Sequence, residues 1–157
     1  MYWGDYLNKK MKVSVGAFDG PTSTGKSDVL GAARVQLDLW DPEDGYYLNS
    51  TYYGDKKLLS IGLASQMQDG NTASTIDFLL ERKLANAGVI TIEGEYANYN
   101  KLGGYFAGYA HSQGAYGLAA YILPKAIGPG KVQLLGKFAK ADFTQGAAPV
   151  STRRRPK

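Results

Sequence analysis

The most specific chemical signal in the chain is an eight-residue run. Gly20-Pro21-Thr22-Ser23-Thr24-Gly25-Lys26-Ser27 matches G-x-x-x-x-G-K-S, the phosphate-binding P-loop. In such a loop, backbone amides wrap phosphate, Lys reaches the terminal phosphates and Ser binds magnesium. Gly20, Gly25, Lys26 and Ser27 are therefore the candidate nucleotide contacts of a P-loop NTPase. The chemistry needs a buried apolar strand before the loop and a helix after it. Leu30, Ala33, Leu37 and Trp40 would line one face of that helix. Alternation fits the same stretch better, because Val35, Leu37 and Leu39 are separated by Gln36 and Asp38 and preceded by Arg34. Gly31 would weaken a helix early. Lys12-Val13-Ser14-Val15 is not continuously apolar, and the βαβ rhythm is missing elsewhere. The expectation is a chance match within a loop.

Carboxylates supply the other chemistry. Glu93 and Glu95 are two residues apart, roughly 7 Å along a strand, a spacing open to a glycosidase pair. Asp77 or Glu81 could add a third acid. No cleft or partner His is implied, so a solvated polar wall is the expected reading. His111 is the one histidine and sits in a Gly/Tyr/Ser-rich stretch, 97–113, read as an exposed loop. Glu43 and Asp44 fall in Asp41-Pro42-Glu43-Asp44-Gly45, which suits a turn, since Pro fixes φ and Gly accepts positive φ. EF-hand spacing is absent there. Cysteine is absent, which excludes disulfides, iron–sulfur clusters and thiolate metal sites. A single His excludes two-His metal sites. No catalytic residue, cofactor or metal is expected.

Charge narrows the partners. The chain has 157 residues and a net charge of +4, but Arg153, Arg154, Arg155 and Lys157 carry four of its 18 positive charges. The remaining 14 balance the 14 acidic residues, so the body has no basic footprint for nucleic acid. No apolar run reaches the 18 or so residues of a transmembrane helix. Met1 to Lys10 lacks the apolar core of a signal peptide.

The elements that must position these groups have period two. Lys10–Ala17, Arg34–Leu39 and Ile90–Tyr96 alternate apolar and polar residues. Leu58–Gln68, Ser74–Glu81, Ala115–Leu123 and Lys131–Phe138 follow more weakly, giving about seven strands. Short turns are expected at 82–88 and 124–130, with a longer connection at 41–57 on the same side, and polar loops at 18–31, 68–74 and 97–113 on the other. Short turns on one side and long loops on the other is the pattern of an up-and-down outer-membrane barrel. Of 19 aromatics 12 are Tyr, and many sit where strands meet connections. Trp40, Tyr46, Tyr47, Tyr52 and Tyr53 form one candidate girdle, and Tyr96, Tyr99 and Tyr116 the opposite one. Tyr suits a lipid headgroup level because its body is apolar and its tip polar.

Three runs carry a family resemblance: Val13-Ser14-Val15-Gly16-Ala17-Phe18-Asp19-Gly20, Gly31-Ala32-Ala33-Arg34-Val35-Gln36 and Trp40-Asp41-Pro42-Glu43-Asp44-Gly45-Tyr46-Tyr47. Leu123-Pro124 with Ile127-Gly128-Pro129-Gly130-Lys131 adds to them. Over most of residues 10 to 145 the chain resembles the phosphate-selective porin O/P family. The resemblance implies a 16-stranded β-barrel in the bacterial outer membrane, usually a homotrimer, passing small anions such as phosphate or other solutes. The barrel needs more than twice this length, so residues 1–147 are expected to be an all-β, antiparallel segment of one. Residues 148–157 read as a basic tail foreign to it, and the signal peptide as missing by truncation.

On that reading the outward, lipid-facing set is Val13, Val15, Val35, Leu37, Leu39, Leu59, Ile61, Leu63, Ile76, Phe78, Leu80, Ile90, Ile92, Leu118, Ile122, Val132 and Phe138. The pore-lining set is Lys10, Lys12, Arg34, Gln36, Asp38, Gln66, Asp77, Glu81, Thr91, Glu93, Glu95 and Lys137. Its charges are mixed, so architecture is carried over from the family but phosphate selectivity is not. The alternatives are the P-loop NTPase and a soluble Tyr-rich β-sheet binding module.

Overall fold

The structure, a computed structural model, describes residues 1–21, 27–43, 52–85, 87–102 and 109–145. It is all β among these residues. The strands are β1 (Tyr2–Tyr6), β2 (Met11–Pro21), β3 (Ser27–Asp38), β4 (Leu58–Gln68), β5 (Asn71–Leu84), β6 (Gly88–Asn100), β7 (Tyr109–Ile127) and β8 (Gly130–Gln145). They form one sheet in sequence order, each strand antiparallel to its chain neighbours. Among the described residues the sheet is open: β1 pairs only with β2, and β8 only with β7.

Seven of the strands are those that alternation marks, and Leu58–Gln68 keeps its bounds. The eighth is β1, which the sequence reading does not contain. It is held to β2 by a turn in which Leu7, Asn8 and Lys9 all have positive φ.

The loops expected at 18–31 and 97–113 are shorter, because β2 runs to Pro21, β3 begins at Ser27, β6 runs to Asn100 and β7 begins at Tyr109. Two further connections depart more sharply. The polar loop expected at 68–74 is a two-residue turn, Asp69-Gly70, with φ of 48° and 71°. Positive φ at both positions is the type I′ geometry, whose twist matches that of the flanking strands. Strand β7 also runs on through Pro124, where a turn was expected, with a register shift between Ile122 and Ala126. Proline is tolerated in a ladder where pairing is irregular. The turn there is only Gly128-Pro129. Long and short connections now occur at both ends of the sheet, so the expected sorting into a short-turn side and a long-loop side does not hold.

The P-loop context is also corrected. Gly20 and Pro21 end β2, Pro21 pairs with Ser27, and Ser27 opens a strand instead of a helix. Without that helix there is no N-terminus to meet a phosphate. Gly25 and Lys26 lie outside the described residues.

Register divides the sheet into two faces. Val13, Val35, Leu63, Ile76 and Tyr96 belong to one; Lys12, Gln36, Gly62, Asp77 and Glu95 to the other. The apolar face is the exposed one: Val15, Val35, Leu37, Ile61, Leu63, Met67, Ile76, Phe78, Leu134 and Phe138 all remain open to solvent. The polar face is the sheltered one, carrying buried Lys12, Gln36, Asp38, Ser60, Gln68, Glu81, Thr91 and Ser112. The buried apolar residues, Leu58, Ala73, Leu79, Val89, Ala120 and Ile122, lie on that same sheltered face. This corrects Leu118 and Ile122, expected to point outward: Leu118 pairs with Glu93 and Ile122 with Val89.

Candidate functional site: the polar face

Pairing lines the polar side chains up in rows across the strands. One row reads Lys12, Gln36, Gly62, Asp77, Glu95 and Tyr116. Beside it run Asp38, Ser60, Leu79, Glu93, Leu118 and Lys137. Side chains on alternate residues share a face, so Arg34, Gln66, Glu81 and Thr91 join them. Eleven of the twelve candidate lining residues therefore fall on one face. Lys10 does not: it lies in the β1–β2 turn and is exposed.

Arg34 and Asp77 meet at the middle of this face. Arg34 Nη1 donates to Asp77 Oδ2 at 2.6 Å and Nη2 to Oδ1 at 2.8 Å. The residues sit on β3 and β5, so the pair passes over β4. The residue beneath is Gly62, buried and without a side chain to obstruct it.

The connection between β3 and β4 folds onto the same face. Its Glu43 is 1% exposed. Glu43 N donates to Asp38 Oδ2 at 2.9 Å, Gln36 Nε2 donates to Glu43 Oε2 at 3.2 Å, and Tyr52 Oη donates to Glu43 Oε1 at 2.9 Å. Lys12 Nζ donates to the Glu43 carbonyl and lies 3.8 Å from its carboxylate. Glu81, fully buried on β5, accepts from Gly54 N at 2.8 Å, Tyr52 N at 3.4 Å and Thr91 Oγ1 at 3.2 Å. Two buried carboxylates thus clamp the two described arms of the connection. Sequence reading places Glu43 in a turn and gives no sign of its burial; contacts between residues 29 to 31 apart carry no local signal. Asp44 lies outside the described residues.

A second feature is a hollow of about 500 Å³ over β6, β7 and β8. Its floor is the row Ala97, Gly114 and Ala141. Tyr99, Tyr116 and Phe143 wall it, Glu95 and Lys137 border it, and Lys137 Nζ sits 4.1 Å from the Tyr116 ring centroid.

The aromatic candidates scatter. Tyr96 is on the apolar face, and its hydroxyl donates to Gln113 at 3.0 Å. Tyr99 and Tyr116 pair with Ala73 and Glu95, on the polar face, so the outward placement expected of a girdle does not hold for them. Tyr52 turns inward to Glu43. Trp40 lies under Lys57 Nζ, 4.7 Å from its ring, and Tyr53 is exposed at a positive φ. Tyr46 and Tyr47 lie outside the described residues. Outward aromatics that the sequence reading missed are Tyr2 and Tyr6, which pair with Val15 and Met11, and Tyr121, which pairs with Ile90. His111 is in β7 opposite Asn100, not in a loop.

The polar face is acidic in sum. Among the described strand residues that register puts on this face, Lys12, Arg34, Lys83, Lys131 and Lys137 stand against Asp5, Asp28, Asp38, Asp77, Glu81, Glu93 and Glu95, with Glu43 added by the connection: five cations and eight carboxylates. Comparison of the chain with protein-family models, curated proteins and solved structures finds no match.

Proposed function

We propose that the chain is a porin-like segment of an outer-membrane β-barrel that lets small solutes or ions diffuse passively across the bacterial outer membrane. One observation carries the reading: in the middle rows of β2 to β6, apolar side chains are exposed on one face while the charged ones lie buried or half-buried on the other. That inverts a water-soluble sheet and matches a wall between lipid and an aqueous path. The meander order supports it. So does the openness at β1 and β8, since a closed barrel has no edges and further strands would complete it. The trimer and the 16-strand total rest on the family resemblance alone. A soluble Tyr-rich module would leave the same apolar face in water, and no observation favours it.

Selectivity departs from the family expectation. A path lined by more carboxylates than cations favours cations over phosphate. No residue on it needs to catalyse anything for diffusion to occur. The test is flotation of the purified chain with lipid vesicles, then conductance across a planar bilayer. Co-flotation with a cation-biased conductance is expected. A monodisperse, lipid-indifferent chain in detergent-free buffer overturns the reading.

A further inference from the structure

We propose that the hollow over β6, β7 and β8 binds a small organic ammonium ion with an apolar body. The inference goes beyond passive diffusion and stands on the hollow itself. Its floor is the row Ala97, Gly114 and Ala141, whose small size leaves depth between taller neighbours. In the next row Tyr99 and Phe143 flank Ser112, so two rings rise two strands apart, about 10 Å by strand spacing. A flat or rounded apolar group fits between them. The volume, about 500 Å³, is in the range of small-molecule sites.

Charge decides the class of ligand. Aromatic faces attract cations through the ring quadrupole. The site already displays this, because the Lys137 ammonium lies against the Tyr116 ring. Glu95 borders the same ring, and its carboxylate has no hydrogen bond or ion pair to a described residue. Glu93 adds a second negative charge two residues away on the same face. An anion would meet these carboxylates. A bare metal ion needs several oxygen ligands, and no group of three or more His, Cys, Asp or Glu stands together among the described residues. An ammonium with an apolar body satisfies both the carboxylate and the rings. Lys137 then acts as its competitor for the Tyr116 face.

The test is calorimetric titration of the full chain in detergent micelles with benzyltrimethylammonium, with benzyl alcohol and benzenesulfonate as neutral and anionic controls. Saturable binding of the cation alone is expected. Glu95→Gln should weaken it about tenfold, the loss of one charge contact. Lys137→Met should strengthen it, and Gly114→Leu, which fills the floor, should abolish it. Circular dichroism and vesicle flotation of each variant separate loss of binding from loss of fold or of membrane association. Equal binding of benzenesulfonate, weaker binding in Lys137→Met, or no saturable binding by the folded chain overturns the proposal.

Discussion

Arg34 on β3 and Asp77 on β5 form a two-pronged ion pair that bridges over an intervening strand at Gly62. A pair like this ties three strands together with one contact. It depends on the strand between having no side chain at that row. A Cβ on Gly62 would lie 2.5 Å and 2.6 Å from the two Asp77 oxygens, and closer still to the guanidinium. The backbone of Gly62 is ordinary strand; a Cβ there would meet the ends of the Arg34 and Asp77 side chains, which must shift to admit it.

Gly62→Ala should therefore destabilise the sheet by about 1–3 kcal/mol, the usual cost of overpacking. The measurement is the urea midpoint in detergent. Asp77→Asn removes the charge but keeps the shape, and should cost about 1–2 kcal/mol, since the pair is only partly sheltered. An unchanged midpoint for Gly62→Ala would mean that the pair swings aside without loss.

Glu81→Ala leaves Tyr52 N, Gly54 N and Thr91 Oγ1 without their acceptor. An unmet buried donor costs about 1–3 kcal/mol. The expected readout is local: limited proteolysis at 52–57 should speed up before the global midpoint falls by the same proportion. Equal protection in the two proteins would sink the clamp.

Leu63 sits mid-strand on the apolar face, between Val35 and Ile76, and is 54% exposed. In lipid, Leu63→Lys should lower insertion by about 2–4 kcal/mol, the cost of a Lys at the midplane of a barrel. In a soluble sheet the same change would be nearly neutral and would raise solubility. Vesicle flotation tells the two apart.

Glu93 and Glu95 are on the polar face and carry no described hydrogen bond or ion pair. Glu93→Gln with Glu95→Gln removes two of the carboxylates on that face. The reversal potential in a salt gradient should move toward anions, while single-channel conductance stays near the parent value. A reversal potential indifferent to both substitutions would place these side chains away from the ion path.

Much of this was legible in the sequence because a strand with one polar face writes its orientation in every second residue. Lys12, Arg34, Gln36 and Asp38 show it, as do Thr91, Glu93 and Glu95. The signal fails where both faces are apolar. In Ala115-Tyr116-Gly117-Leu118-Ala119-Ala120-Tyr121-Ile122 no polar residue sets the phase, which is why alternation assigns Leu118 and Ile122 to the wrong face. It fails again in Tyr2-Trp3-Gly4-Asp5-Tyr6, too short and too aromatic to alternate. Asp69-Gly70 is a recognisable hairpin pair, but the Asn71 and Thr72 that follow look like loop and are strand. The clamp at Glu43 and Glu81 was not legible, because it is made by chain segments far apart in sequence. The hollow was not legible either, since it exists only when Ala97, Gly114 and Ala141 come into one row.

The strand count has a consequence for how such a chain grows. With eight strands, β1 and β8 run in opposite directions. A second meander of the same kind, set beside the first in the same orientation, meets it with an antiparallel seam. Repeats of the unit can be joined in tandem without reversing any strand or moving a turn to the other side. Hairpins are thus the natural quantum of duplication and loss, and an odd strand gained or lost would be the change that such an architecture rejects.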